Sequence, residues 1–431
     1  MRNLKWMLKY LIGGILMGTI LLTVVYMLPT AYMTKNIEKS RQIYQVEGAY
    51  YQWAPGISNS QLDNWTDSIM IGTAINKNED SLVKRVMLNP DASLKNAKTP
   101  VDSILAVIDK YPANKMIKNY YGRYWHGYLI VIKPLLLFFT VGDLRILNMV
   151  FQVILAAIIF LKLNQRFNSL YAFSFLGTIL FLNPIVLALS FQFSTIYYIL
   201  LFGMLVSLMF EKKLYVNNGW YKLFFIMGIA IAYFDLLTYP IVPLGICLIL
   251  KLILNDNKHE MLQKNVREII TCSVIWGIGY LGMWGSKWIL ATILTENNIL
   301  RNAVAEILVR TGSVTTESIQ INYGILNGII WNLKALKTRP MLFVCILLFG
   351  FFIYLKKGQK MKLKGKYYTL IAIWMVSLIP FGWYLMANNH SGIHYWFTYR
   401  NLAITVFGIF CTISYCIENS YHQKENKNSF T

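Results

Sequence analysis

The sequence predicts an all-α polytopic membrane protein of about ten spans, with a re-entrant or interfacial segment and a helical first extracytoplasmic loop. Three observations carry this. The 431 residues are 56% hydrophobic and only 14% charged, where a soluble chain carries about a quarter charged residues. Apolar runs near the length that crosses a ~30 Å hydrocarbon core recur from end to end. Lysines and arginines gather in alternate connections, the pattern of loops facing an anionic inner leaflet.

Taken in order, the expected spans are 6–29, 144–163, 170–189, 195–210, 221–237, 240–255, 268–294, 339–356, 367–387 and 399–417. The first begins with basic residues like a signal peptide, but it is too long for an h-region and lacks a small-residue cleavage site. "YLIVIKPLLLFFTV" is too short for a span and contains Lys133 and Pro134, so it is assigned as re-entrant or interfacial. With the N-terminus inside, the inner segments are "MRNLKWMLK", "LKLNQRF", "EKKLYVNNGWYK", "KLILNDNKHEMLQKNVRE", "KKGQKMKLKGK" and the tail, each with at least two Lys or Arg. Counting the short segment as a span would put most of these clusters outside. The expected organisation is a first span (1–29), a large extracytoplasmic loop with interfacial helices (30–142) and a bundle of six spans (143–294). A second extracytoplasmic loop with amphipathic helices (295–338), three C-terminal spans (339–417) and a tail (418–431) follow. The expected location is the plasma membrane, multi-pass, with both termini cytoplasmic.

The net charge of +21 follows from the lysine bias, and no soluble basic module for nucleic acid is present. Cys247, Cys272, Cys345, Cys411 and Cys416 all sit in apolar runs, which implies no external disulfide framework. No Cys/His cluster has zinc spacing, and no phosphate-cradling glycine motif occurs, which excludes a transporter with its own ATP site.

The unusual polar residues gather on the outer side. "SNSQLDNWTDSIM" holds Asp63 and Asp67, four apart and hence on one helical face; Ser60 and Asp63 have capping-box spacing. Either acid can cap or complement the helix dipole, and either can act as general base for a hydroxyl nucleophile. "KNYYGRYWHGY" brings Arg123, Trp125 and His126 among tyrosines, a mixture that forms an aromatic belt and equally suits sugar faces and a phosphate. For Asp143 and Arg145 in "VGDLRILN", at the outer mouth of the second span, a local Asp–Arg pair is one reading and a role in the site the other. Asp235 ends a span before Tyr239-Pro240, and a carboxylate at that depth is a functional candidate. Lys287 lies below the outer end of a long span, placed to snorkel or to neutralise a lipid phosphate. In "NNHSGIHYWFTYR", His390 and His394 could pair on a metal only in a helix, against which Ser391-Gly392 argues. Arg400 there calls for an anionic partner. "NILRNAVAEILVR" and "ESIQINYGILNGIIWNLKAL" read as helices lying flat on the interface.

The layout, together with "NYYGRYWHGY", "GDLRILN", "YFDLLTYP", "WGSKW" and "HYWFTYR", resembles the GT-C class of membrane glycosyltransferases and multi-pass proteins of Gram-positive bacteria grouped near them. The resemblance implies a polyprenyl-phosphate-linked sugar as donor, a cell-envelope glycan or polymer as acceptor, and an acid of the first outer loop as base. Carried over, it points to Asp67, then Asp63. The adjacent acid pair or Asp-x-Asp familiar in that class is missing near the first span, which leaves the base open between them. Arg400, Lys287 and Arg123 are then expected to meet the leaving phosphate, with Asp235, Trp125, His126, Asp143, Arg145 and His394 in substrate binding. No cofactor is firmly implied; a divalent cation is compatible with the chemistry, but no ligand set calls for it. A flippase or transporter of a lipid-linked sugar, or a polysaccharide polymerase or ligase, are the alternatives. The near absence of midspan charge favours an enzyme with one-sided access.

Overall fold

The computed structural model describes residues 2–77, 80–255, 261–312, 324–337, 350 and 367–428, with side chains described from 4 to 416. The described chain is helical apart from one two-stranded sheet, an all-α polytopic architecture. Among the described residues, six helices are long and apolar enough to cross a membrane: Leu4–Tyr26, Val141–Arg166, Phe191–Met209, Leu262–Leu294, Tyr367–Met386 and Tyr395–Cys416. Shorter apolar helices occupy Ser169–Leu182, Gly219–Phe234 and Val242–Leu254. The expected span 339–356 lies outside the described residues apart from 350.

In chain order, α1 is Arg2–Tyr26, α2 Thr30–Glu38, α3 Arg41–Glu47, α4 Asn64–Ile75, α5 Leu82–Leu88, β1 Pro90–Leu94, α6 Pro100–Ile108, β2 Met116–Tyr120 and α7 Leu129–Leu136. Next come α8 Val141–Arg166, α9 Ser169–Leu182, α10 Pro184–Leu189, α11 Phe191–Met209, α12 Glu211–Leu214, α13 Gly219–Phe234, α14 Val242–Leu254 and α15 Leu262–Leu294. The remainder is α16 Ile299–Thr311, α17 Asn327–Lys334, α18 Tyr367–Ser377, α19 Ile379–Met386, α20 Asn388–Ile393, α21 Tyr395–Thr398 and α22 Ala403–Asn428.

Local chemistry sets several boundaries. α9 stops at Leu182 because Asn183 turns left-handed (φ 63) and Pro184 cannot donate to a continuing helix. The expected span 170–189 is therefore two helices. α13 and α15 pack closely through glycines: a Cβ on Gly228 would lie 2.2 Å from the Trp276 carbonyl oxygen, and one on Gly279 2.4 Å from that of Phe225.

The first loop is not wholly helical. β1 and β2 pair antiparallel, from Pro90 opposite Tyr120 to Leu94 opposite Met116. The strands are joined through α6, so no tight-turn residues announce them. Contacts place this loop against one end of the bundle. Trp125 Nε1 donates to the Met283 carbonyl (2.7 Å) and Gly127 N–H to that of Tyr233 (2.8 Å). Gly127 is obligatory there, because a Cβ would fall 2.2 Å from the Tyr233 ring.

Candidate functional site

Four buried charges at this end of the bundle serve the ends of helices from distant parts of the chain. A helix leaves unpaired N–H groups at its start and unpaired carbonyls at its finish, with matching partial charges. Asp67 accepts the N–H groups of Phe191 and Gln192, both at 2.9 Å, and so caps the start of α11. Lys133 donates to the Ala74 carbonyl (2.6 Å) at the finish of α4, beneath the Tyr26 ring. Lys287 donates to the Val86 carbonyl (2.9 Å) at the finish of α5, with its ammonium 5.2 Å from the Trp125 ring centre. Arg400 Nε donates to the Leu182 carbonyl (3.0 Å) at the finish of α9, and its guanidinium lies 4.5 Å from the Phe193 ring centre. In all four the charge opposes the helix dipole, so each residue has a structural reason for its sign.

The start of α11 is where candidates meet. Besides Asp67, the Asp63 N–H donates to Ser190 Oγ (3.1 Å), while its carboxylate caps α4 through Thr66 N–H (3.1 Å). Ser60 takes no part in that cap; its hydroxyl turns back to the carbonyls of Ala54 and Ile57. Tyr239 hydrogen-bonds to the Phe193 carbonyl. Burial pushes the Asp63 carboxyl up to about 6, against the pull of Thr66 and the Arg400 charge. Burial and then Asp63 push Asp67 up to about 8; the amides of Gln192 and Phe191, and Arg145, pull the other way. Several buried polar atoms around this turn lack a hydrogen-bond partner among the described residues: Arg400 Nη2, Arg145 Nε, Gln192 Oε1, Tyr44 Oη and Tyr399 Oη.

Arg145 corrects one expectation. It does not pair with Asp143. Asp143 closes a capping box with Thr140, and Arg145 grips Glu47 bidentately (2.7 and 3.0 Å) while its Nη2 also donates to Asn64 Oδ1 (3.0 Å). Glu47 and Asn64 carry no signal in the sequence, because the partners lie 98 and 81 positions from Arg145. Tyr44, Asn64, Asp67, Arg145 and Phe191 surround a void of about 10 Å³, near the smallest that holds a water.

On the other side of Phe191 an apolar groove of about 620 Å³ runs between α7, α8 and α11. It follows α8 from Leu144 to Leu155 and α11 from Phe191 to Phe202, about 16 Å along each axis. That is about half the hydrocarbon thickness of a bilayer. Its few polar groups satisfy one another: Asn148 Nδ2 donates to Ser194 Oγ (2.7 Å), and Tyr198 donates to Asn148 Oδ1 (2.8 Å).

The remaining candidates form a second group. Arg123 donates to Asn302 Oδ1 (2.8 Å) and lies 3.7 Å from Glu306, tying the first loop to α16. His126, left-handed at φ 56, places Nε2 2.8 Å from the Tyr121 carbonyl and Nδ1 2.5 Å from the Tyr128 hydroxyl. These partners require Nε2 to carry the proton. Burial, then Lys287, push the ring down to about 3, so it stays neutral. Asp235 accepts both the N–H (2.9 Å) and hydroxyl (2.6 Å) of Thr238, closing a turn in which Leu237 is left-handed (φ 70). His390 Nε2 donates to that Leu237 carbonyl (2.9 Å), and Nδ1 accepts from Arg310 Nη1 (3.1 Å). Contrary to expectation, Ser391-Gly392 do not interrupt a helix: α20 spans them, and the His390 and His394 rings lie 4.8 Å apart. Both His390 nitrogens are engaged, and no group of three metal-ligating residues exists among the described residues. His394 stacks on Phe397 and is pushed down to about 4 by burial and then Arg310.

The fold is that of a multi-pass helical membrane protein. No protein family, curated protein or solved structure matches the chain.

Proposed function

We propose that the protein is a membrane glycosyltransferase that moves a sugar from a polyprenyl-phosphate donor to a cell-envelope glycan on the extracytoplasmic face. One observation carries the reading: a groove half a bilayer deep ends at Phe191, on the same helical turn that collects Asp63, Asp67, Arg145 and Arg400. A prenyl chain lying in the groove would bring its phosphate to that turn. The acceptor hydroxyl oxygen then attacks the anomeric carbon, the bond from that carbon to the phosphate oxygen breaks, and polyprenyl phosphate departs with the electron pair. Asp67 takes the hydroxyl proton; each of its oxygens accepts one amide hydrogen and retains a second lone pair. Asp63 is the neighbouring acid, and after burial it is the next cause of the raised proton affinity of Asp67. Of the cations assigned to the phosphate, Lys287 and Arg123 are engaged by protein groups, whereas Arg400 keeps Nη2 without a partner among the described residues. Arg400 is the group that answers the developing charge.

The test is restoration of an envelope sugar in cells deleted for this protein. The parent chain restores it. Asp67→Asn is expected to lower transfer by about 10²–10⁴ at matched expression. Leu147→Trp and Ile199→Trp, which fill the groove, are expected to reduce both transfer and the prenyl phosphate retained on purification. Unaltered envelope composition with Asp67→Asn, Asp63→Asn and both groove variants would overturn the proposal.

A further inference from the structure

A second cleft, of about 640 Å³, lies in the first loop, away from the groove, and the chemistry above leaves it unused. Its walls are α2, the finish of α4, β1, the finish of α6 and β2. The lining mixes both signs of charge with apolar surface. Glu38 and Asp91 face Lys77, Lys110 and Lys118 across it. Lys110 lies 3.9 Å from Glu38, and Lys118 is held by Asp80 at 3.2 Å, so the cations are largely answered within the protein. A polyanion therefore gains little here. Tyr111 is 45% exposed and Ile117 49%, which leaves an aromatic face and an aliphatic edge open to a ligand.

The backbone is bent to make this lining. Lys110 follows the C-cap of α6 in the left-handed region (φ 55), with its N–H and that of Tyr111 donating back to the carbonyls of Val107 and Ala106. Glycine is the usual residue there, and a side chain costs about 1 kcal/mol. Lys110 and Tyr111 both line the cleft that this turn closes.

Sugars present apolar C–H faces and hydroxyl edges. The first match Tyr111 and Ile117; the second match carboxylates that accept and an Asn76 amide that donates. α4 joins the two regions, carrying Asp67 in its first turn and Ile75 at its finish, about 12 Å along the axis. We propose that this cleft binds an uncharged, hydroxyl-rich saccharide segment, the acceptor glycan whose growing end reaches the start of α11. The acceptor role rests on the transferase reading; saccharide binding does not.

The experiment is retention of the full chain, in lipid nanodiscs, on an array of neutral envelope oligosaccharides and polyol-phosphate oligomers. Saturable binding of at least one neutral class is expected, unchanged by 0.5 M salt (of the order of a 3–5 Å screening length). Tyr111→Ala and Glu38→Gln, at unaltered thermal unfolding, are expected to weaken it at least tenfold. Asp67→Asn is expected to bind as the parent does, which separates failure of the chemistry from failure of the cleft. Retention of polyol-phosphates alone, retention lost in salt, equal binding by the cleft variants, or no neutral saccharide retained would each overturn the proposal.

Discussion

Replacing Asp67 with alanine is expected to loosen the start of α11. The carboxylate holds two buried N–H groups at 2.9 Å, and alanine leaves both without an acceptor. A buried donor left unpaired costs about 1–3 kcal/mol, so the pair costs about 2–6 kcal/mol. Asparagine keeps one acceptor oxygen and loses the charge, so about half of that is expected. In a chain this long, ~1 kcal/mol moves Tm by about 2 °C or less, which puts alanine about 3–10 °C below the parent. The assay follows thiol exposure on heating in detergent, since Cys247, Cys272 and Cys411 are free and buried. An alanine variant melting within a degree of the parent would refute the capping argument.

Stability should also fall as pH rises. Asp63 and Asp91 are raised from 3.8 to about 6, and Asp67 to about 8, chiefly by burial. A raised acid binds its proton more tightly when folded, so its contribution is complete below about pH 4 and is lost as pH passes 6 and then 8. Tm at pH 5 should exceed Tm at pH 8.5, and Asp67→Asn should flatten the part above pH 6; a Tm that climbs over this range contradicts the assignment. Lys287→Met keeps much of the packing on Trp125 but leaves the Val86 carbonyl unpaired, with an expected loss of about 1–3 kcal/mol in the same melting assay. Gly228→Ala would force α13 from α15, because its Cβ would land 2.2 Å from a backbone oxygen; about 1–3 kcal/mol is expected, seen as lower Tm and yield.

Periodicity and length made six of the ten expected spans legible among the described residues, because a bilayer imposes one simple requirement on every crossing helix. The cap of α4 by Asp63 and the helix opened by Pro100 could also be read, since their partners lie within a turn. So could the Thr140–Asp143 capping box, had its four-residue signature been preferred to a local Asp–Arg pair. The Arg145–Glu47 grip, the β1–β2 pairing and the seat of Asp67 on α11 could not. Their partners stand tens to over a hundred positions away, and no local pattern records them. The Asp63–Asp67 spacing was visible; that both would meet a turn containing Ser190 and Phe191 was not.

The seat of Asp67 has a consequence for biosynthesis. Residues 64–75 leave the ribosome well before Phe191 and Gln192 are made, so the carboxylate must wait through the insertion of two intervening apolar helices, α8 and α9. Lys287 imposes a similar appointment with Val86, as does Arg400 with Leu182. The layer built from the first loop is thus completed by the helices that follow it, and a chain halted before residue 190 would carry that layer unfinished.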